Sequence, residues 1–495
     1  MRDWARWSTA VAIGAIWSVY VPSLGVAQGP GAAGMSEPVA SPVTNVTPAM
    51  LQQARQSGDW LMYGHNYWNN RFSPLKQINT TNIRNLVPRM VFQTGTERLG
   101  SLETTPVVVN GIMYITSPAT PNNVVVAVDL RTQKTLWRYE HKNAPVSTAC
   151  CGPNNRGVAV SGGNVYVATL DAQLVALDQA TGKEKWVVTV GDPAEGYTET
   201  MAPLIIDDKV IIGSSGAEYG IRGFVKAYNT STGALMWTFY TIPAPNARAD
   251  EGGVNGWFGR WSRTTPEGTN LNRDIAKEKA DSAKYADAWR HGGGSMWMTP
   301  AYDPDTKTMY IAIGNPSPDL DGSVRPGDNL WSESIVALDA ATGKFKWGYQ
   351  MIPHDVWDLD AASPPVIATV GGRKAVVHAG KTGWVYVLDA TTGRLIRRSE
   401  AFVPQVNMFA KPTAEGTRML PGRTADRSGR QSRCIPSCST LTASRCTSRW
   451  STRRTTRLTS AAGCGWGARS SRFRVRRSGA TCRPSTSRPA RSPGR

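Results

Sequence analysis

The chain has 495 residues, of which 40% are hydrophobic and 19% are charged, and its formal charge is +19. This composition excludes a collagen-like repeat, a coiled coil and a multi-span membrane protein. A large positive charge often indicates a nucleic-acid partner, but here it is concentrated at one end. Residues 423–495 hold 18 of the 56 Lys and Arg residues and 1 of the 37 Asp and Glu residues. The rest of the chain is therefore close to neutral and gives no sign of binding nucleic acid.

The first 27 residues have the pattern of a secretory signal peptide. Arg2 and Arg6 precede an apolar stretch at residues 9–21, and a Gly-Val-Ala cleavage pattern ends at residue 27. The apolar stretch is short for a membrane span, which disfavours the alternative of a retained anchor. We predict export to a bacterial periplasm, no membrane span after cleavage, and a leader or linker over residues 28–58.

Residues 59–422 contain a repeat whose units are 49–51 residues apart at three of four intervals. In each unit, apolar residues lead to Asp or Asn, a Thr-Gly or similar turn follows, and Trp comes eight positions after the Asp or Asn. The five Asp or Asn positions are Asp129, Asp178, Asn229, Asp339 and Asp389. Arg397 replaces the Trp of the last unit. Strand–turn–strand units of this period predict an all-β fold, a β-propeller, in which each Trp docks one blade against the next.

The remaining interval, between Asn229 and Asp339, is 110 residues long. This length fits two units, with the segment Ala-Tyr-Asp-Pro at residues 301–304 as a degenerate one. Residues 241–291 within the interval are polar and carry no repeat. An insertion on a rigid scaffold is either a lid or a packing segment, and the sequence does not decide between them.

Several residues are not required by a bare propeller. Adjacent Cys150 and Cys151 can close a strained disulfide ring in an oxidising compartment, the alternative being two ordinary buried thiols. Glu218 and Asn315 follow predicted strands, and three carboxylates lie within residues 355–360. Taken singly, these residues also suit turns or a solvated loop. Together, oxygen ligands at successive strand ends indicate a hard cation.

Four motifs carry a resemblance to a known family. They are Cys-Cys-Gly-x-x-Asn-Arg-Gly from Cys150, Gly-Ser-Ser-Gly-Ala-Glu-x-Gly-x-Arg-Gly from Gly213, Gly-Gly-Gly-Ser-x-Trp from Gly292, and His-Asp-x-Trp-Asp from His354. In this order they resemble the pyrroloquinoline quinone (PQQ)-dependent alcohol dehydrogenases of the methanol and ethanol type. The resemblance covers residues 59–422 and implies an eight-bladed propeller with PQQ and a metal ion on its axis.

The resemblance also implies a role for each matching residue. The Cys150–Cys151 disulfide would lie above the PQQ ring, and Trp297 would lie beneath it, although blade packing is an alternative role for Trp297. The PQQ oxygens and carboxylates would be bound by Glu103, Arg156, Thr200, Ser215, Gly216, Ala217 and Ser295. The metal would be held by Glu218, Asn315 and Asp358, and Asp358 would also be the catalytic base. Lys381 would bind near the quinone carbonyl and stabilise charge there.

Asp360 refines the identity of the metal. An Asp two positions after the catalytic Asp resembles the lanthanide-dependent members, and a trivalent ion favours one more negative ligand. We therefore predict a lanthanide(III) ion with Asp360 as a further ligand, and calcium as the alternative; Asp360 facing solvent is the plainer interpretation. No Cys-x-x-Cys-His motif is present. The resemblance thus implies a small alcohol as substrate and a separate cytochrome c as electron acceptor, and it allows a homodimer.

After residue 422 the repeat stops and a basic Arg- and Ser-rich tail begins. Reading residues 479–494 one base out of frame permits Trp-Gly-Asn-Val-Ser-Ala-Val-Asn-Leu-Ala-Thr-Gly-Lys-Ile-Ala-Trp, which is another copy of the repeat. We therefore interpret residues 423–495 as out of frame and disordered, with the C-terminal blades lost or garbled. An incomplete propeller exposes strand edges, so the chain as written is expected to be impaired.

Two alternative functions remain. A non-enzymatic β-propeller scaffold of the cell envelope shares the repeat but requires neither the Cys pair nor the Glu218, Asn315 and Asp358 set. A basic nucleic-acid binder is consistent only with a genuine tail. The specific motifs favour the enzyme over both.

Overall fold

A computed structural model describes residues 42–94, 102–117, 121–145, 149–150, 152–411 and 413–421, together with three short strands beyond residue 432. Between residues 107 and 398 these residues form five four-stranded antiparallel sheets, each a simple meander in chain order. The all-β propeller prediction is confirmed. The number of eight blades stays a prediction, since five sheets of this kind lie within the described part of the chain.

The five sheets, called blades one to five, have the following strands. Blade one contains β1 (Val107–Val109), β2 (Ile112–Thr116), β3 (Asn122–Asp129) and β4 (Lys134–Lys142). Blade two contains β5 (Ala159–Ser161), β6 (Asn164–Ala168), β7 (Gln173–Asp178) and β8 (Glu184–Thr189). Blade three contains β9 (Leu204–Ile206), β10 (Lys209–Gly213), β11 (Phe224–Asn229) and β12 (Leu235–Tyr240). Blade four contains β13 (Ala301–Asp303), β14 (Thr308–Ile313), β15 (Ser334–Asp339) and β16 (Phe345–Gln350). Blade five contains β17 (Val366–Val370), β18 (Arg373–Ala379), β19 (Val385–Asp389) and β20 (Leu395–Arg398).

The other elements are short. The helices are α1 (Pro48–Gln52) and α2 (Ile275–Asp281). Beyond blade five, β21 (Thr417–Met419) pairs with β24 (Trp450–Thr452), and β22 (Arg433–Cys434) pairs with β23 (Leu441–Thr442). No helix within the described residues combines the length and the apolar character needed to cross a membrane. The predicted signal peptide and most of the predicted out-of-frame tail lie outside these residues.

The first strand of each blade lies innermost and the fourth outermost. Strands β5, β9 and β13 are completely buried, whereas β8 is mostly exposed. First strands of neighbouring blades also contact each other: β5 contacts β9, and β13 contacts β17. The apolar runs of the repeat are therefore buried between blades, which explains their near-continuous hydrophobic pattern.

The repeat residues form the turn between the third and fourth strands. In blade two, Oδ1 of Asp178 accepts hydrogen bonds from the backbone N–H groups of Ala180 and Thr181 and from the Thr181 hydroxyl. Gly182 closes the turn with φ +71°, a conformation that glycine adopts without steric cost. Each third strand also has a β-bulge before this turn, for example between Ala176 and Leu177.

The recurring Trp of the repeat docks one blade against the next, as predicted. Trp137 of blade one packs on Gly182 in the turn of blade two, where a Cβ atom would lie 2.6 Å from the indole ring. The Trp137 Nε1–H donates to the carbonyl oxygen of Gln179 at 3.0 Å. Trp347 repeats the arrangement between blades four and five, donating to Ala390 at 3.1 Å. The Thr-Gly turn and the Trp are thus two halves of one interface.

The residues before blade one also bind the blades together. The backbone of Tyr67 and Trp68 accepts hydrogen bonds from Tyr302 at 2.8 Å and Ile367 at 3.0 Å. The Tyr67 hydroxyl donates to Ile205 at 2.8 Å. These bonds reach blades three, four and five, so the segment joins the inner strands. Part of the predicted leader, including the buried Val46, Leu51 and Ala54, packs in the same core.

The interpretation of the 110-residue interval as two units is wrong. The interval contains one blade, and Ala301–Asp303 is its first strand β13 rather than a degenerate repeat. Asp303 accepts hydrogen bonds from Thr306 and Lys374 at the β13–β14 turn, which explains its resemblance to the Asp of a repeat turn. The extra length is a single insertion between β12 and β13.

The insertion packs against the propeller. Trp257 is 1% exposed, and the guanidinium of Arg273 lies 2.6 Å from both Asp328 and Glu278. The Trp331 Nε1–H donates to the carbonyl of Gly252 at 2.9 Å. The insertion is therefore fixed by buried polar contacts to the loop that precedes β15.

Candidate functional site

The candidate site residues lie at one face of the propeller. In an antiparallel meander, the first strand begins and the second strand ends at the same edge of the sheet. The predicted residues occupy these two positions in successive blades: Arg156, Thr200, Ser295, Trp297, Asp358 and Asp360 before first strands, and Ser215, Gly216, Ala217, Glu218, Asn315 and Lys381 after second strands. The repeat therefore explains how residues more than two hundred positions apart reach one site.

A basic and hydroxylic cluster lies at blades two and three. The Arg156 guanidinium forms an ion pair with Glu103 at 2.7 Å and donates to the Thr200 hydroxyl at 2.8 Å. Thr200 Oγ1 lies 2.7 Å from Ser215 Oγ. The Arg156 Cζ atom also lies 4.8 Å from the centroid of the half-buried Trp297 ring. A guanidinium beside an aromatic face is an arrangement that binds a planar anion.

The turn after β10 continues this cluster toward blade four. The Ala217 N–H donates to Ser295 Oγ at 3.0 Å, and the Gly314 N–H donates to the carbonyl of Ser295 at 2.9 Å. Gly216 has φ +113°, and a Cβ atom there would overlap the Gly196 carbonyl. Glycine is thus required where the backbone turns into the site. Glu218 follows on the same turn and is exposed.

A second cluster contains two carboxylates and one ammonium. Lys381 Nζ lies 3.0 Å from Asp358 Oδ1 and 2.8 Å from Asp360 Oδ2, and the three side chains are 10, 15 and 7% exposed. The Asn315 N–H donates to Asp360 Oδ1 at 2.8 Å. This burial overturns the alternative interpretations of the acidic segment as a solvated loop and of Asp360 as facing solvent.

The charges of this cluster perturb one another. Burial raises the pKa of Asp358 well above its usual range; Lys381 opposes the rise and Asp360 adds to it. The two carboxylates outweigh burial at Lys381 and raise the pKa of its ammonium. Lys381 is therefore charged, while the carboxylates repel each other across it.

The structure also shows the surroundings of Asp355, the first of the three carboxylates at residues 355–360, and a basic residue, Arg325, that the sequence analysis did not select. Asp355 is buried, and burial raises its pKa to about 6 although the Leu359 and Trp357 N–H groups oppose the rise. The fully buried Arg325 donates to the carbonyl of Asp355 and to Asn329 Oδ1. The contact of Arg325 with Asp355 depends on the tertiary fold, so no sequence pattern marks Arg325.

Two predictions concern parts of the site that these contacts do not reach. Cys150 is half-buried, and Cys151 lies outside the described residues, so the vicinal disulfide stays a prediction. Within the described residues, no three Asp, Glu, His or Cys side chains converge as a metal-binding group. Glu218 is exposed, while Lys381 contacts both Asp358 and Asp360. The metal ligand set therefore also stays a prediction.

The chain matches known proteins over most of its length. The sequence family described as "Glucose/ethanol/alcohol dehydrogenase, beta-propeller domain" of the PQQ type matches residues 60–458. Quinohemoprotein alcohol dehydrogenase ADH IIB of Pseudomonas putida is 38% identical over 407 residues, covering 80% of this chain and 54% of that protein. The lanthanide-dependent methanol dehydrogenase of Methylorubrum extorquens is 36% identical over 372 residues, covering 73% of this chain and 58% of that protein.

The solved structures agree with the sequence matches. A europium-containing methanol dehydrogenase has a TM-score of 0.66 and 32% identity, and the likeness covers 79% of this chain and 69% of that one. The chain spans about half the length of the first curated relatives it matches, for example 54 and 52%. The family match covers more than half of the chain and includes every predicted site residue. By sequence and by fold, the chain belongs to the PQQ-dependent alcohol dehydrogenase family.

Proposed function

We propose that this chain is the propeller part of a periplasmic, PQQ- and metal-dependent dehydrogenase that oxidises a small alcohol to an aldehyde. The observation that carries the proposal is the pair of clusters at one propeller face. Arg156 lies over the Trp297 ring and is linked to Thr200 and Ser215, and Lys381 joins Asp358 to Asp360. The relatives named as alcohol or methanol dehydrogenases support the same reaction class.

The residues present fit PQQ, an aromatic quinone with three carboxylates. Arg156 and the hydroxyls of Thr200, Ser215 and Ser295 are donors for anionic oxygens, and the Trp297 ring offers a planar surface. Glu103 holds the guanidinium in place. Gly216 and Ala217 would bring backbone close to the cofactor. The Cys150–Cys151 pair would cover its opposite face.

The residues also fit a hard cation. Asp358 and Asp360 carry two negative charges against the single positive charge of Lys381, and all three are nearly buried. Such an excess of buried carboxylate is unfavourable unless a cation offsets it. Glu218, Asn315, Asp358 and Asp360 would hold the ion. We propose lanthanide(III), supported by Asp360 and by the lanthanide-dependent relative, with calcium as the alternative.

Bound PQQ would supply the two-electron acceptor for the hydride of the alcohol. Asp358 would accept the hydroxyl proton of the alcohol at its carboxylate. Two carboxylates hold the Lys381 ammonium in position. Its positive charge would stabilise negative charge that develops nearby. The buried surroundings of both groups strengthen these interactions by excluding water.

The test is reconstitution of the purified chain with PQQ and either La³⁺ or Ca²⁺, followed by alcohol-dependent reduction of an artificial dye. The proposal predicts activity that requires both additions. PQQ binding without activity would exclude the reaction for the chain as written, and absence of PQQ binding in a chain with the closing blades restored would favour the envelope scaffold. Reduction of a purified cytochrome c in place of the dye tests the proposed electron acceptor, and sedimentation tests the proposed homodimer.

The proposed change of frame has its own test. Sequencing the encoding DNA across codons 415–430 would reveal an extra or missing base if residues 423–495 are out of frame. Restored repeat residues would extend the propeller beyond residue 422. A sequence identical to the present one would refute the change of frame and leave the basic tail as part of the protein.

A further inference from the structure

Glu333 is the residue immediately before strand β15 in blade four. Strands β14 and β15 pair Ile313 with Ser334, so Gly314 and Glu333 face each other one step beyond that pair. The Glu333 N–H donates to the Gly314 carbonyl at 3.1 Å, and the Met351 N–H donates to the Glu333 carbonyl at 2.8 Å. The backbone of Glu333 is therefore fixed at the edge of blade four that carries Asn315.

This edge is in contact with the acidic cluster. A Cβ atom on Gly314 would lie 2.5 Å from Asp360 Oδ1 and 3.0 Å from Trp297 Nε1. The Asn315 N–H donates to the same oxygen of Asp360 at 2.8 Å. Gly314 thus contacts Asp360 and pairs with the backbone of Glu333.

The side chain of Glu333 is unusual for its position. The residue is fully buried, and both carboxylate oxygens lack a hydrogen-bond partner within the described part of the chain. Burial raises the pKa of its carboxyl well above the usual range, and the charges of Asp355, Asp360 and Asp358 raise it further, against Lys381. An ionised carboxylate in such surroundings is unfavourable unless a cation lies among the acids.

We infer that Glu333 is an additional carboxylate of the cation site and that its negative charge favours a trivalent ion over a divalent one. The inference rests on the proposed cation site. Asp358 and Asp360 already exceed the single positive charge of Lys381, and ionised Glu333 adds a negative charge on the strand pair that contacts Asp360. The attraction between Glu333 and a bound ion scales with the charge of that ion.

The inference can be tested by metal binding without turnover. Tb³⁺ is titrated into the full chain, and its luminescence is excited through tryptophan, since Trp297 lies beside Gly314. We expect Glu333→Gln to raise the Kd for Tb³⁺ by about tenfold or more and the Kd for competing Ca²⁺ by less. The matched control is Glu199→Gln. Glu199 is also fully buried with two unpartnered oxygens, but the charged group near it is Lys226.

The outcomes separate this inference from the proposed function. Unchanged Tb³⁺ affinity in Glu333→Gln would overturn the inference and leave the cation site standing. Absence of Tb³⁺ and Ca²⁺ binding in the unsubstituted chain would overturn both. An equal loss in Glu199→Gln would also overturn the inference, because the effect would not depend on proximity to Asp360.

Thermal unfolding provides a second measurement. Without metal, Glu333→Gln should unfold at the same or a higher temperature, and the increase in Tm on adding La³⁺ should shrink. A lower metal-free Tm with an unchanged La³⁺ effect would assign Glu333 a structural role and overturn the inference. If the Gln variant does not fold, Glu333→Ser provides the same comparison with a smaller side chain.

Discussion

Lys381 Nζ lies 2.8 Å from Oδ2 of Asp360, and both side chains are at most 10% exposed. The same ammonium lies 3.0 Å from Asp358, so one cation is shared by two carboxylates. One ammonium offsets only one of the two negative charges that the carboxylates carry when ionised. This relationship is the basis for the proposed proton acceptor and for the proposed cation site.

Asp358→Asn should remove the proton acceptor while preserving the shape of the site. We expect alcohol-dependent dye reduction to fall by about a hundredfold or more, because an amide cannot take the hydroxyl proton. PQQ binding, measured by absorbance, should persist through Arg156. Asp208→Asn is the control, since Asp208 is 55% exposed and pairs with Lys209. Full activity in Asp358→Asn would refute the assignment of the base.

Asp360→Ala should change the preference between metals. Removing one negative charge weakens the attraction to a trivalent ion more than to a divalent ion. We therefore expect the activity supported by La³⁺ to fall more than the activity supported by Ca²⁺, measured across a titration of each ion. Equal losses with the two ions would remove Asp360 as the determinant of lanthanide use.

Arg156→Gln should weaken PQQ binding. The guanidinium contacts Glu103 and Thr200 and lies over Trp297, so its removal deletes the positive charge of the first cluster. We expect the Kd for PQQ to rise by about tenfold or more, as for other charge-assisted contacts. Arg138→Gln serves as the control, because Arg138 forms a half-exposed surface ion pair with Glu140. An equal Kd for both variants would exclude Arg156 from the cofactor site.

The repeat predicted the fold, and the motifs identified many site residues. Neither showed how those residues are arranged in space. The recurring Trp predicted that each blade docks on the next, whereas the contact of Trp137 with Gly182 joins two repeat units and comes from the structure. The length of the 110-residue interval did not distinguish a second unit from an insertion, since the insertion folds on Asp328 through tertiary contacts. The motifs selected Asp358 and Lys381, but their shared ion pair depends on blade five. No sequence motif includes Glu333, and its burial in the folded chain is what identifies it.

His378 should contribute to acid sensitivity. It is fully buried, and burial lowers the pKa of its imidazole from the usual 6.5 to about 4, although a backbone hydrogen bond to Ser363 opposes this. The unfolded chain therefore takes up the proton first, and stability present above pH 6.5 is lost as the pH falls toward 4. The imidazole accounts for about 3 kcal/mol of this loss.

The measurement is urea unfolding at pH 7, 5 and 4 for the unsubstituted chain and for His378→Gln. Asp355 and Asp358 have raised pKa values and act in the opposite direction, so the difference between the two proteins isolates the imidazole. We expect a smaller loss of stability on acidification in the variant. The exposed His291 supplies the control His291→Gln, which should follow the unsubstituted chain. Parallel pH curves for all three proteins would contradict the prediction.

Gly182→Ala tests the docking of blade one on blade two. A Cβ atom at Gly182 would lie 2.6 Å from the Trp137 ring, and the residue has φ +71°. Gly163→Ala is a matched control, since Gly163 has φ +73° but nothing within 4 Å of the added atom. Both variants bear the same backbone strain, so their difference reports the clash with the indole. We expect Gly182→Ala to be less stable than the control by about 1–3 kcal/mol in urea unfolding. Equal stabilities would mean that the Trp–Gly contact does not hold the blades together.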